Sequence, residues 1–258
     1  MAEPARPPHD EAGAGPPVVL LHAGVADRSM WAGLLPVLAS AGYRAIALDL
    51  PGFGEAPVAP GLAPHDAVVG AMDVLGVDRA VLAGSSFGGA VALRVAVVAP
   101  ERVAGLVLAS APPPDLEPSE ALQAAWEEEE GALERGDVDA AVDAVVRAWT
   151  LPDAPAAVRE HVAAMQRRIF DLQLAAREDH EPEDPLDARP EALELIDVPA
   201  LVTAGERDMV DFQKGAERMG RRLPNARTVV IAGAGHLAPL EQPARFQELL
   251  LGFLREHA

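Results

Sequence analysis

Apolar and polar residues follow two alternating patterns along most of the chain. Short, nearly continuous apolar runs are typical of strands buried on both faces of a sheet, whereas apolar residues spaced three or four apart are typical of helices that cover it. The helical spacing predicts a first helix containing Met30, Trp31, Leu34, Leu35 and Leu38, and further helices around 65–76, 87–98, 211–223 and 240–256. The apolar runs predict strands at 17–22, 43–50, 79–85, 102–110, 199–205 and 226–233. This order predicts an α/β fold with a mostly parallel sheet and helices on both faces.

Residues 112–191 interrupt the alternation. They have apolar residues at helical spacing, contain no strand candidate and hold more than half of the 40 acidic residues. We therefore predict one α/β core, formed by 17–111 and 192–258, that is interrupted by a helical insertion at 112–191. The Pro-rich residues 1–16 are predicted to be a flexible N-terminus.

Composition narrows the class of protein further. With 50% hydrophobic and 24% charged residues, the chain has the balance of a soluble globular protein, and no apolar run is long enough to span a membrane. The N-terminal acids and prolines are unlike a secretory signal, which predicts a cytoplasmic protein. A formal charge of −19 argues against nucleic acid and anionic membranes as partners. The absence of cysteine excludes disulfides and a thiol nucleophile.

Three residues with the chemistry of a nucleophilic site follow predicted strands. The segment Gly84-Ser85-Ser86-Phe87-Gly88 matches the pattern G-x-S-x-G at a strand-to-helix turn, which places Ser86 at its exposed tip. Asp208 and His236 come just after the strands at 199–205 and 226–233. Because parallel strands present their carboxyl ends at one edge of the sheet, we expect the three side chains to meet there. A serine hydroxyl needs such a base and orienting carboxylate to act as a nucleophile.

The chain resembles the α/β-hydrolase superfamily from about residue 11 onward. The resemblance is carried by the segments GPPVVLLHAG, ALDLPGFGEAP, GSSFGG, PERVAGLVLASA, GERD and GAGHLAPLEQP. It implies that Ser86 is the nucleophile, His236 the general base and Asp208 the acid that orients the base. It also implies that the amides of Gly24 and Phe87 form an oxyanion hole, although the chain has His22-Ala23-Gly24 where the family usually has His-Gly.

The resemblance further implies that the insertion at 112–191 is a cap over the nucleophile. Within it, Trp126, Trp149, Met165 and Phe170 are candidates to line a substrate pocket, the alternative being that they only pack the insertion. The acidic run at 127–130 is interpreted as a solvated helix face.

Other polar residues are given structural roles. His22 is expected to hold the oxyanion loop, and Asp49 to anchor the turn that follows it. Glu206 and Asp211 lie close to Asp208 in the chain, but we interpret them as solvated loop residues. The remaining histidines show no paired ligand spacing, so we expect no metal site.

The family usually begins with a hairpin of two strands, which the Pro-rich start of this chain does not supply. We therefore predict a sheet of about six strands. The strand at 43–50 would then lie at an open edge, covered either by the N-terminal tail or by a second chain, so that a homodimer is a further hypothesis.

These observations predict a serine hydrolase that cleaves a small carboxylic ester or lactone through an acyl-enzyme, without a cofactor. Carbon–carbon bond hydrolases, haloperoxidase-like enzymes and acyltransferases use the same triad and remain alternatives. Serine at position 86 argues against haloalkane and epoxide chemistry, which the family performs with an aspartate. A ligand-binding protein that kept the fold but not the chemistry is the alternative of another class.

Overall fold

The computed structural model describes residues 6–176 and 184–258. Its strands are His9–Ala12 (β1), Pro17–Leu21 (β2), Arg44–Leu48 (β3), Ala80–Ser85 (β4), Val103–Ala109 (β5), Ala200–Gly205 (β6) and Ala226–Ile231 (β7). Its α-helices are Leu35–Ser40 (α1), Pro64–Val74 (α2), Phe87–Val98 (α3), Glu120–Glu134 (α4), Val138–Trp149 (α5), Ala156–Leu174 (α6), Pro185–Ala188 (α7), Val210–Arg222 (α8), Ala238–Glu241 (α9) and Pro243–His257 (α10). Each strand predicted from an apolar run is therefore present.

The seven strands form one sheet in the order β1-β3-β2-β4-β5-β6-β7. Strands β2 to β7 are parallel to one another, whereas β1 is antiparallel to its neighbour β3. Because the parallel strands all end at the same edge, the loops that follow β2, β4, β6 and β7 lie together. The predicted α/β architecture is confirmed.

The N-terminal segment corrects two predictions. Residues His9–Ala12, assigned to a flexible tail, form the seventh strand, which the estimate of six strands lacked. Besides its backbone pairing, β1 is held by Glu11, whose carboxylate lies 2.8 Å from Nε of Arg44 on β3. The edge of β3 is thus covered by the chain's own N-terminal segment, which removes the reason for proposing a homodimer by edge pairing.

The first predicted helix consists of two shorter pieces. Arg28–Trp31 is a 3-10 helix, and α1 begins only at Leu35. Pro36 lies in the first turn of α1, where a backbone N–H would have no partner within the helix, so its absence costs nothing. If the helix began one turn earlier, Pro36 would have to donate to a carbonyl of that turn, which it cannot do because it has no N–H. The apolar face survives this break, since Trp31 and Leu38 are fully buried.

The core consists of two apolar layers, one on each face of the sheet. Strand β2 illustrates why, because Val18 and Leu20 belong to one layer and Val19 and Leu21 to the other. Alternate side chains of a strand point to opposite faces, so an uninterrupted apolar run requires cover on both. No helix within the two described ranges is long and apolar enough to cross a membrane.

Helices α4, α5 and α6 lie between β5 and β6 in the chain and pack on one another. Several polar contacts join them to the core. The carboxylate of Asp211, at the start of α8, accepts hydrogen bonds from the amide and the hydroxyl of Ser119, the N-cap residue of α4, each at 2.7 Å. The amide of Asp27 donates to the sulfur of Met165 on α6 at 3.4 Å. The three helices therefore stand at the carboxyl edge of the sheet.

Candidate active site

Ser86 lies in a strained turn between β4 and α3. Its backbone has a φ of 49°, in the left-handed region that side chains other than glycine rarely adopt. Two glycines make the turn possible. A Cβ on Gly84 would lie 2.3 Å from the backbone of Gly88, and a Cβ on Gly88 would lie 2.3 Å from the carbonyl oxygen of Leu21. The strain therefore presents the Ser86 hydroxyl at the carboxyl edge of the sheet, as strained residues at functional sites often do.

Ser86, His236 and Asp208 meet at this edge. The hydroxyl of Ser86 lies 2.9 Å from Nε2 of His236, and Nδ1 of the same ring lies 3.0 Å from Oδ1 of Asp208. A neutral imidazole that donates from Nδ1 to the carboxylate leaves the lone pair of Nε2 facing the hydroxyl. The three side chains can therefore transfer a proton from oxygen to the imidazole as the oxygen attacks an electrophile.

The imidazole of His236 packs against two aromatic rings. The ring centre of Phe212 lies 4.2 Å from that of His236. The ring centre of Trp149, the last residue of α5, lies 4.6 Å from that of His236. Asp208 is also fixed, because its Oδ1 accepts from the amide of Met209 at 2.8 Å. Both His236 and Asp208 are buried, so few water molecules compete for their hydrogen bond.

Glu241, which the motif analysis did not single out, supports the loop that carries His236. Its half-buried carboxylate accepts from the amide of Gly235 at 2.7 Å and from the amide of Leu151 at 2.8 Å. Burial raises the pKa of this carboxyl, and the two amide hydrogen bonds partly offset the effect. Glu241 thus ties the residue before His236 to the segment that follows α5.

The loop after β2 is held by His22, as expected from the sequence. Nδ1 of His22 lies 2.9 Å from the carbonyl oxygen of Ala23, and Nε2 accepts from the amide of Leu50 at 3.0 Å. Burial lowers the pKa of His22, which favours the neutral ring that these two contacts require. The next turn contains Gly24. A Cβ placed on Gly24 would lie 3.5 Å from the Cβ of Phe87. The predicted oxyanion residues Gly24 and Phe87 are therefore neighbours.

Asp49 anchors the turn after β3. Its Oδ1 accepts from the amide of Arg28 and its Oδ2 from the amide of Glu55, each at 2.8 Å, and it also forms an ion pair with the Arg28 guanidinium. Asp211 is not solvated as expected, because it is buried against Ser119. Glu206 is exposed, as expected, and accepts from the amide of Gly233 at 2.8 Å, so neither Glu206 nor Asp211 takes the place of Asp208 at the imidazole of His236.

A cavity of about 470 Å³ opens above Ser86, and we call it the Ser86 cavity. Of the four predicted pocket residues, Trp126, Trp149 and Phe170 line it. Met165 does not, because its side chain is fully buried and its sulfur accepts from the amide of Asp27. The remaining lining residues are Gly24, Val25, Phe53, Ser86, Phe87, Pro112, Leu116, Glu129, Gln166, Ile169, Gln173, Phe212 and His236.

The predicted pocket residues do not include the polar residues of this cavity. Gln166 and Gln173 share one face of α6 with Ile169 and Phe170, since the four follow the helical spacing i, i+3, i+4 and i+7. Glu129 follows Trp126 by three positions on α4, so it turns inward although it belongs to the run that was interpreted as solvated. Helical spacing from the predicted aromatic residues would have indicated all of these side chains.

Within residues 6–176 and 184–258, no group of three His, Cys, Asp or Glu side chains is placed to hold a metal ion. The chemistry that the site offers is that of the hydroxyl, the imidazole and the carboxylate, with a nearby loop that can present backbone amides to an oxyanion.

A seven-stranded, mostly parallel sheet with a serine on a strained turn and a histidine and an aspartate at neighbouring strand ends is the arrangement of the α/β hydrolases. The chain belongs to this family, since the family model described as alpha/beta hydrolase fold matches residues 16–243.

Similar proteins include hydrolases and a transferase component. The chain is 32% identical to a 2-hydroxy-6-oxononadienedioate/2-hydroxy-6-oxononatrienedioate hydrolase of Paraburkholderia phymatum, covering 95% of this chain and 90% of that protein. It is 33% identical to the dihydrolipoyllysine-residue acetyltransferase component of an acetoin cleaving system of Pseudomonas putida, over 94% of this chain but only 64% of that longer protein. Among solved structures, a thermophilic esterase from Thermogutta terrifontis has a TM-score of 0.77 at 30% identity and covers 97% of this chain and 94% of its own.

Proposed function

We propose that this protein is a serine hydrolase that cleaves a small carboxylic ester or lactone through an acyl-enzyme. The observation that carries the proposal is the continuous chain of contacts from the hydroxyl of Ser86 through the imidazole of His236 to the carboxylate of Asp208, at 2.9 Å and 3.0 Å. The similarity to an esterase supports it. No cofactor is needed for this reaction.

In the proposed reaction, Oγ of Ser86 attacks the substrate carbonyl carbon while Nε2 of His236 takes the hydroxyl proton. The carbonyl oxygen becomes an oxyanion, which the amides of Gly24 and Phe87 stabilise, since neither amide has a hydrogen-bond partner within the described ranges. The carbon–oxygen bond to the alcohol then breaks, and His236 returns the proton to the leaving oxygen. Asp208 holds the tautomer and stabilises the imidazolium that forms in between.

Water completes the turnover by the same route. His236 takes a proton from a water molecule as its oxygen attacks the acyl carbon, and the proton then passes to Oγ of Ser86 as the acid is released. We propose that α4, α5 and α6, within the insertion 112–191, act as a cap that excludes bulk water and shapes the Ser86 cavity. Trp126, Trp149 and Phe170 are its proposed apolar substrate contacts.

The test compares Ser86→Ala with Ser85→Ala. Ser85 is the matched control because it is adjacent, fully buried and makes no hydrogen bond within the described ranges through its hydroxyl. We expect Ser86→Ala to lower kcat/KM for a p-nitrophenyl ester by at least about 10⁴-fold and to abolish labelling by a fluorophosphonate probe. Ser85→Ala should retain both. Hydrolysis and labelling that persist in a folded Ser86→Ala protein would reject the proposal.

Acyl transfer is the second candidate, because the Pseudomonas putida relative is an acetyltransferase component. The two reactions share every step up to the acyl-enzyme and differ only in whether water or another nucleophile accepts the acyl group. Product analysis in the presence of a competing alcohol or thiol distinguishes them. Acid as the main product supports hydrolysis, whereas a new ester or thioester as the main product supports transfer.

A further inference from the structure

The Ser86 cavity is apolar except for a few side chains, and one of these is an amide without a partner. Gln166 is only 3% exposed, yet neither its Oε1 nor its Nε2 makes a hydrogen bond to any residue that the structure describes. Buried polar groups in folded proteins are nearly always paired, because leaving one unpaired costs the whole desolvation penalty of that group. An unpaired amide in the wall of a substrate cavity therefore indicates that the ligand supplies the missing hydrogen bond.

The second polar group is the carboxylate of Glu129. Its three neighbours in the acidic run, Glu127, Glu128 and Glu130, are exposed, whereas Glu129 is half-buried and lines the cavity. It forms no ion pair and no hydrogen bond with any described residue, and burial raises its pKa. Among the residues that the structure describes, no arginine or lysine lines the cavity.

These two groups define the electrostatics that a substrate meets. A substrate carboxylate would find no cation among the described residues that line the cavity, and it would be repelled by Glu129 in a half-buried position, where screening by salt is weak. A hydroxyl or amide N–H, in contrast, can donate to Glu129, and a hydroxyl or carbonyl oxygen can accept from Nε2 of Gln166. The Paraburkholderia phymatum relative is named for a dioate, a substrate with two carboxylates, so this cavity favours different substrates.

We propose that the Ser86 cavity selects uncharged esters or lactones that carry a hydroxyl or amide group, with Gln166 forming a hydrogen bond to that group and Glu129 excluding substrates that carry a carboxylate. This inference rests on the proposed serine hydrolase function and adds the substrate class. Gln166 and Glu129 are specificity-determining residues in it, and the triad performs the chemistry.

The experiment uses p-nitrophenyl esters of graded acyl chain length, each made in three forms that end in a methyl group, a hydroxyl group or a carboxylate. We expect the wild-type protein, at its best chain length, to prefer the hydroxyl-ended over the carboxylate-ended ester by at least tenfold in kcat/KM, which corresponds to about 1.4 kcal/mol. The difference should lie mainly in KM, because it arises from binding rather than from the bond-breaking steps.

Two variants assign the preference to its residues. Glu129→Gln removes the charge at nearly constant shape and should raise the carboxylate-to-methyl ratio of kcat/KM about tenfold. Gln166→Met removes the amide and should lower the hydroxyl-to-methyl ratio about fivefold. Glu127→Gln is the matched control, because it removes one exposed charge from the same helix. If Glu127→Gln raises the carboxylate-to-methyl ratio as much as Glu129→Gln does, long-range charge rather than the cavity is responsible and the inference is wrong.

The outcomes also separate this inference from the function on which it rests. A protein that neither hydrolyses any of the esters nor reacts with a fluorophosphonate would refute the serine hydrolase proposal. A protein that labels and hydrolyses methyl-ended esters, but treats all three ends alike at every chain length, would keep that proposal and overturn the inference about substrate class.

Discussion

Replacing Glu241 tests whether its hydrogen bonds fix the loop that carries His236. Glu241→Ala removes two hydrogen bonds from a carboxylate to the amides of Gly235 and Leu151, at 2.7 Å and 2.8 Å. A hydrogen bond to a charged group contributes about 1.5–3 kcal/mol, and the half-buried position of Glu241 favours the lower end. Together the two bonds therefore contribute about 3 kcal/mol, which for a chain of this size corresponds to a fall in Tm of about 6–12 °C.

The same change should slow the reaction. Gly235 directly precedes His236, so a loosened loop lets the imidazole move away from the hydroxyl of Ser86. A displacement of about 1 Å at a reacting group lowers rates by roughly 100-fold, and we expect kcat for a p-nitrophenyl ester to fall 10- to 100-fold, with little change in KM. Glu241→Gln keeps one accepting oxygen and should lose about half as much stability as Glu241→Ala.

Thermal unfolding followed by circular dichroism measures the first effect, and steady-state kinetics across a range of pH measure the second. Glu248→Ala serves as the control, because Glu248 is exposed and pairs only with Arg245 on the same helix, a contact worth about 0.5 kcal/mol or less. If Glu241→Ala unfolds at the wild-type temperature and turns over at a rate within a factor of two, the two amide hydrogen bonds do not position His236.

Four further substitutions have outcomes that follow from the structure. Gly88→Ala places a Cβ 2.3 Å from the carbonyl oxygen of Leu21, so it should abolish activity and lower Tm. The Cβ of Gly70→Ala would meet nothing within 4 Å, so this change should stabilise α2 by about 0.5–1 kcal/mol in thermal unfolding. Asp208→Asn should lower kcat by about 10⁴-fold in a folded protein, since an amide no longer stabilises the imidazolium, and activity within tenfold of wild type would point to another acid. Burial raises the pKa of Glu129 above its ordinary 4.5, so the folded protein holds that proton more tightly and loses stability as pH rises through the raised pKa. Glu129→Gln should therefore raise Tm at neutral pH but not near pH 4.5, and an equal gain at both would refute this.

Hydrophobic periodicity was sufficient for most of the sheet but not for its edge strand. Strands β2 to β6 are buried apolar runs, and their pattern alone predicts them. In contrast, β1 has the sequence HDEA, without a buried residue, and is held by backbone pairing with β3 and by the ion pair of Glu11 with Arg44. Such a strand is specified by its partner rather than by its own residues, so periodicity carries no signal for it.

In the site, too, some residues can be predicted from their place in the chain, whereas others depend on contacts with distant residues. Ser86, Asp208 and His236 could be predicted because each lies in the turn or loop after a parallel strand, so the topology brings them together. Glu241 could not, since the amides that it binds lie six and 90 positions away and carry no side-chain signature. Gln166 could be inferred only through its helical spacing from Phe170, four positions later, because a polar residue that faces a cavity otherwise looks in the sequence like one that faces water.

Helices α4, α5 and α6 contact the core at different places, so substitutions in them should affect substrate selectivity and kcat differently. Helices α4 and α6 form their polar contacts to the core with Asp211, Asp27, Ser29 and Gly52, none of which is Ser86, His236 or Asp208. Substitutions at cavity positions on α4 and α6 can therefore change which substrate binds without moving His236 relative to Ser86. Helix α5 differs, because its last residue, Trp149, lies against the imidazole and the next segment is tied to Glu241. Changes at the end of α5 should alter binding and kcat together, because there the wall of the cavity and the support of the base are the same structure.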